Sequence, residues 1–125
     1  MTARILVVDD DEKTRRFACD MLEQHGWRPC RADSGEHALE LARSQSAELV
    51  LLDIQMPGIG GVETFRRLRA VPGWAGVPVV AMTASVMPNE RSTLMGVGFD
   101  DFLSKPFSIK ELIGIVRKTL HEPAE

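Results

Sequence analysis

Five short apolar runs alternate with five stretches whose apolar residues recur at helical spacing. Ile5-Leu6-Val7-Val8 and Leu49-Val50-Leu51-Leu52 are continuous and rich in branched side chains, the pattern of strands buried on both faces of a parallel sheet. Weaker runs at 27–31, 77–82 and Asp101–Ser104 predict three more strands. Between the first two runs, residues 12–25 put Phe17, Ala18, Met21 and Leu22 on one helical face, with Gly26 as the stop. Asp33 with Glu36 reads as a capping box opening a helix that turns Ala38, Leu39, Leu41 and Ala42 inward. A loop holding Pro57, Gly58, Gly60 and Gly61 leads into a helix running to about Ala70, whose apolar row is Val62, Phe65 and Leu68. Residues 71–78 form a longer connection in which Trp74 is expected to cover the lower end of the sheet. A weakly patterned helix follows Pro88, a residue suited to the first helical position. The last helix has Ser108 as cap, Glu111 completing the box and Phe107 stapling Leu112; Ile109, Leu112, Ile113, Val116 and Leu120 are its expected inner face.

The order βαβαβαβαβα calls for a mostly parallel sheet covered by helices on both sides. Ligands of such sheets sit at the carboxyl ends of the strands, where strand order reverses. The polar chemistry of this chain falls there: Asp9 and Asp10 close the first run, Asp53 closes the third, Thr83 follows the fourth and Lys105 the fifth. If the first and third strands lie side by side, three carboxylates converge, which raises a carboxylate pKa unless a cation offsets the repulsion. An all-oxygen donor set suits Mg²⁺. Asp11 is read as the cap of the first helix in preference to a further ligand. Taken singly, Thr83 is a strand end and Lys105 a surface ammonium. Five complementary groups on one edge are harder to assign to chance.

At 125 residues the chain is sized for one domain with a substantial core. A formal charge of −3 argues against a nucleic-acid surface, and Arg66, Arg67 and Arg69 are expected on a solvated helix face. Cys19 and Cys30 fit no metal or redox spacing and read as buried thiols; His25, His37 and His121 share no ligand spacing. No apolar run approaches the roughly 20 residues needed to cross a bilayer. Residues 1–4 lead straight into a strand without a secretion signal, so a cytoplasmic protein is expected.

The segments Ile5-Leu6-Val7-Val8-Asp9-Asp10-Asp11, Leu52-Asp53-Ile54-Gln55-Met56-Pro57-Gly58, Ala81-Met82-Thr83-Ala84 and Ser104-Lys105-Pro106-Phe107 carry a family resemblance. In this order and spacing the chain resembles, end to end, the receiver domain of bacterial two-component response regulators. The resemblance implies a flavodoxin-like (βα)5 fold with strand order 2-1-3-4-5. It also implies a single receiver domain over 1–125 with no output domain, of the stand-alone class. Residues 82–91 are similar to DivK-type regulators.

On the same resemblance, Asp53 accepts a phosphoryl group from a phosphohistidine on a sensor histidine kinase or histidine phosphotransferase. Mg²⁺ is held by Asp10, Asp53, the Gln55 backbone carbonyl and, through water, Asp9. Lys105 takes one phosphoryl oxygen, and the Thr83 hydroxyl with the Ala84 backbone N–H takes the others. Pro106 follows the family's cis bond. Thr83 and Phe102 form the switch; many relatives carry Tyr in place of Phe102, and this chain has no Tyr, which excludes any phenolic readout. The competing reading makes Phe102 a core or edge aromatic.

A recognition face over 87–95, 101–104 and 108–120 is implied for a downstream protein, with the chain a monomer or weak dimer. Gln55 and Ser85 occupy the two positions that tune phosphoryl lifetime. The implied role is a phosphoacceptor with self-catalysed transfer and slow autodephosphorylation rather than an enzyme. Two alternatives compete. A haloacid-dehalogenase-type phosphatase expects an acid two residues after the nucleophile, where this chain has Gln55, and a cap domain. A docking module without phosphorylation would not need the five site residues, all of which are present.

Overall fold

A computed structural model describes residues 2–84 and 87–121. Strand β1 (Arg4–Val8) is followed by α1 (Glu12–Gln24), β2 (Arg28–Ala32), α2 (Gly35–Ala42), β3 (Leu49–Asp53), α3 (Gly60–Arg69), β4 (Val79–Thr83), α4 (Pro88–Val97), β5 (Asp101–Ser104) and α5 (Ile109–Leu120). All pairings are parallel and the order is β2-β1-β3-β4-β5, the flavodoxin-like arrangement. The sequence runs in the opposite direction on either side of β1, so the reversal lies between β1 and β3.

Alternation along each strand divides the apolar residues between the two faces. Leu6, Val8, Val50, Leu52, Val79, Ala81 and Phe102 face one cluster with Ala38 and Ala42 of α2 and Phe65 and Leu68 of α3. Ile5, Val7, Leu49, Leu51, Val80, Met82 and Leu103 face the other, against Ala18, Cys19 and Leu22 of α1 and Leu112, Ile113 and Val116 of α5. β1 and β3 are central and covered twice, which is why their runs are apolar without interruption. Helix α4 differs: none of its residues is fully buried, and Leu94 and Val97 only lean on the first cluster.

Several local expectations need correcting. The cap of α2 is Ser34, not Asp33: the Ser34 hydroxyl accepts from the His37 backbone N–H at 3.0 Å, while the Asp33 carboxylate meets His37 Nδ1 at 3.2 Å. Glu36 therefore closes no box; its carboxylate lies against Gly58, which has φ +81°. Leu39 and Leu41 are only half-buried. β2 starts one residue later than expected because Trp27 drops into the α1–α5 cluster. β4 starts two residues late, since Pro78 has no N–H for the ladder and the Val77 N–H donates to Trp74 O.

Phe17 and Ile109 are partly exposed rather than core; Phe17 instead meets Phe107, with ring centroids 6.0 Å apart. Arg66 and Arg67 are solvated and pair with Glu63, but Arg69 is structural. Its guanidinium donates to the carbonyls of Trp74 (3.0 Å) and Val77 (2.6 Å) and lies over the Phe65 ring. It pins the α3–β4 connection. Trp74 covers the lower end of the sheet as expected, buried and donating through Nε1 to Ala42 O at 3.0 Å. Cys19 is buried, which pushes its thiol pKa up, and Cys30 is half-buried. No helix among the described residues is long and apolar enough to cross a membrane.

Candidate functional site

The register decides which groups meet. Val8 lies beside Leu52, so the next residues on the two strands, Asp9 and Asp53, emerge next to each other. Asp53 sits beside Met82, one residue before Thr83, and Thr83 sits beside Ser104, one residue before Lys105. The Lys105 N–H donates to Thr83 O at 2.8 Å, carrying the ladder one step past β5. Parallel pairing thus gathers Asp9, Asp53, Thr83 and Lys105 on one edge from four strand ends.

Asp9, Asp10 and Asp53 each offer a carboxylate oxygen within 4.8 Å of the others. Asp9 and Asp53 are buried, while Asp10 is exposed. The Lys105 ammonium stands between the two buried acids, 2.7 Å from Asp9 Oδ2 and 3.2 Å from Asp53 Oδ2. Its peptide bond to Pro106 is cis. The remaining oxygens are occupied by backbone: the Asp11 N–H donates to Asp9 Oδ1 at 2.9 Å and the Gln55 N–H to Asp53 Oδ1 at 3.0 Å. Asp11 stands at the N-cap position of α1, but its carboxylate accepts from the Thr14 hydroxyl at 2.6 Å rather than from a backbone N–H of the first turn, and that bond lowers its pKa.

The electrostatics follow from burial. Desolvation pushes the Asp53 carboxyl up and Asp9 pushes it the same way; Lys105 and the Gln55 N–H pull back, and it settles at about 6. Burial would lower the Lys105 ammonium, but its contacts with Asp9 and Asp53 outweigh that and hold it above its ordinary value. One ammonium serves two buried carboxylates, so negative charge is in excess. Beyond the Lys105 ammonium 2.7 Å away, the buried Asp9 Oδ2 meets no hydrogen-bond partner among the described residues. An under-satisfied buried oxygen beside two further carboxylates fits a small hard dication.

Thr83 is buried at the end of β4 and lines an open groove of about 270 Å³ with Gln55, Asn89 and Glu90. Ala84 is exposed and borders a second groove of about 380 Å³, with Lys13, Thr14, Phe17, Lys105 and Phe107. Phe102 is turned inward in the α2–α3 cluster, with the Arg91 guanidinium 5.2 Å from its ring centroid. Ser85 lies outside the described residues. Sequence reading missed Arg15, whose Nη1 donates to Asp9 O at 2.7 Å. It also missed the close approach of Gly61 to the end of β3, where a Cβ would collide with Asp53 O.

The response regulator receiver domain family model matches residues 5–117. The chain belongs to that family. It is 33% identical over 120 residues to the phosphate regulon transcriptional regulatory protein PhoB of Escherichia coli, covering 96% of this chain and 52% of PhoB. It therefore spans about half the length of that relative. It is 32% identical to the polar-differentiation response regulator DivK of Brucella ovis, over 96% of this chain and 98% of DivK. Among solved structures it is similar to the receiver domain of sensor histidine kinase PA1611 from Pseudomonas aeruginosa PAO1, at a TM-score of 0.87 and 28% identity over 98% of this chain and 100% of that one. That structure has a magnesium ion coordinated in the active site cleft. As a receiver domain the chain is a part of two-component phosphorelay signalling.

Proposed function

We propose that this receiver domain takes a phosphoryl group onto Asp53 in a magnesium-dependent reaction. The donor is a phosphohistidine on a sensor histidine kinase or histidine phosphotransferase. The observation that carries the reading is the convergence of Asp9, Asp10 and Asp53 within 4.8 Å, with Lys105 between the two buried acids. A carboxylate titrating at about 6 is still roughly nine-tenths ionised at pH 7, so Asp53 needs no general base. An Asp53 oxygen attacks phosphorus; the phosphorus–nitrogen bond breaks and its electron pair stays on the donor imidazole.

Asp10, Asp53 and the Gln55 backbone carbonyl would hold the magnesium ion directly, and Asp9 through water. When bound, magnesium supplies charge neutralisation between the attacking carboxylate and the phosphoryl oxygens. Lys105 transfers its contact from Asp53 to a phosphoryl oxygen, and the Thr83 hydroxyl and Ala84 N–H take the other two. Movement of Thr83 toward the phosphoryl group makes room for Phe102, and α4, β5 and α5 form the face a downstream protein reads. The domain acts as a cytoplasmic phosphoacceptor, as a monomer or weak dimer, rather than as an enzyme on a separate substrate.

Incubation with a small acyl phosphate and Mg²⁺, followed by intact-mass measurement, tests the acceptor. The native chain should gain one phosphoryl group and Asp53→Asn none. Undiminished labelling of the variant overturns the assignment.

A further inference from the structure

Asp10 is the exposed acid of the cluster, and a direct ligand on the reading above, on which this inference rests. Among the described residues no side-chain bond of its own sets its reach toward a cation; the residues on either side do. Asp9 is fixed at three points. Its N–H donates to Ala32 O at 3.1 Å, its Oδ1 accepts from the Asp11 N–H, and its carbonyl accepts from Arg15 Nη1 at 2.7 Å. Asp11 is fixed by the Thr14 hydroxyl on its carboxylate and by the Arg15 backbone N–H on its carbonyl at 3.0 Å. Arg15 thus holds both neighbours of Asp10, one through its guanidinium and one through its amide.

Helix geometry accounts for the double hold. Arg15 is the fourth residue of α1, so its N–H makes the first intrahelical bond to the cap carbonyl. Helical side chains lean toward the N-terminus, which swings a long side chain back over the end of β1. A planar guanidinium suits the Asp9 carbonyl, whereas a lysine ammonium, one bond shorter in reach and on a flexible stem, would not keep the same direction.

We infer that Arg15 is a positioning residue, which fixes the Asp9–Asp11 turn and so sets the aim of Asp10 and Asp9 at a divalent cation. Charge alone predicts the opposite sign. Removing a cation beside a dication site tightens the metal through relief of repulsion, whereas losing the hold on the turn weakens it. Outer residues that orient ligands are worth about ten- to a hundredfold in metal affinity.

The test is calorimetric titration of the full chain, stripped of metal, with MgCl₂. Arg15→Met keeps the stem and should raise the dissociation constant about tenfold, with Arg15→Lys in between. Arg16→Met, at the exposed neighbour, removes the same charge without touching the turn and should stay within about twofold. A metal-free readout runs beside it. The Asp11 amide, which donates to Asp9 Oδ1, should exchange about tenfold faster in Arg15→Met, with β3 amides unchanged. Titration of Arg15→Met at or below the native constant overturns the inference, as does an unaltered Asp11 amide. A native chain that takes up no magnesium would overturn the metal reading, and amide exchange alone then judges the hold of Arg15 on the turn.

Discussion

Replacing Asp53 by Asn should make the metal-free protein more stable, although it removes the proposed acceptor. In the folded chain the Asp53 carboxyl is raised from 3.8 to about 6, chiefly by burial and then by Asp9. A raised acid binds more protons folded than unfolded between those two values, so stability falls as pH rises through that window. The loss is complete above about pH 6. Two units at 1.36 kcal/mol each set an upper bound of about 3 kcal/mol. Asn keeps the acceptor for the Gln55 N–H, and the attraction to Lys105 is already contained in the value of about 6, so it is not deducted again. The gain at pH 7.5 should therefore approach that bound of about 3 kcal/mol. Urea unfolding with a chelator, from pH 4 to 8, reads it directly. The two chains should converge near pH 4, where Asp53 is protonated and resembles Asn, and diverge above pH 6. Equal stability at pH 7.5, or a gap of the same size at every pH, refutes the claim that excess buried negative charge is centred on Asp53.

Lys105→Ala removes the cation in contact with both buried acids and should cost about 3 kcal/mol at pH 8. Because Lys105 is held above its ordinary pKa, its contribution is present at all pH values below about 10. The deficit in the variant should therefore shrink toward pH 5 only because Asp53, raised to about 6, protonates; urea midpoints at both pH values check this. Asp10→Ala should weaken magnesium binding about tenfold or more in a calorimetric titration while leaving the unfolding midpoint within about 0.5 kcal/mol, since Asp10 is exposed. Gly61→Ala drives a methyl group onto Asp53 O and Ile54 Cα, both backbone, and should cost about 2 kcal/mol in chemical unfolding. A neutral result there would mean that α3 can retreat from β3.

How much of this was legible in the sequence depends on the range of the interaction. β1 and β3 declare themselves because covering both faces removes every polar position from Ile5 to Val8 and from Leu49 to Leu52. Their adjacency then brings the strand-end acids together, and the conserved logic of parallel register needs no further information. The cap of α2 was misplaced because Asp33 and Ser34 are both good caps in consecutive positions, and only the His37 partnership separates them. The start of β4 needed attention to Pro78. Phe17 and Ile109 obey the helical period but sit at the rim of the α1–α5 layer, where period alone cannot tell rim from centre. Arg15 and Arg69 were beyond reach: each satisfies a carbonyl on another element, and an arginine on a helix looks the same in sequence whether it meets water or backbone.

Helix α4 differs from its four companions in what it would lose by moving. With no fully buried residue and only Leu94 and Val97 leaning inward, detaching it exposes a fraction of the apolar area that any other helix would. The remaining layers would stay closed while it tilts, frays or slides. Amide protons of α4 should thus exchange through private, shallow openings, well before those of the sheet beneath it. A scaffold so divided can broadcast a chemical event at one end of its strands without ever loosening its interior.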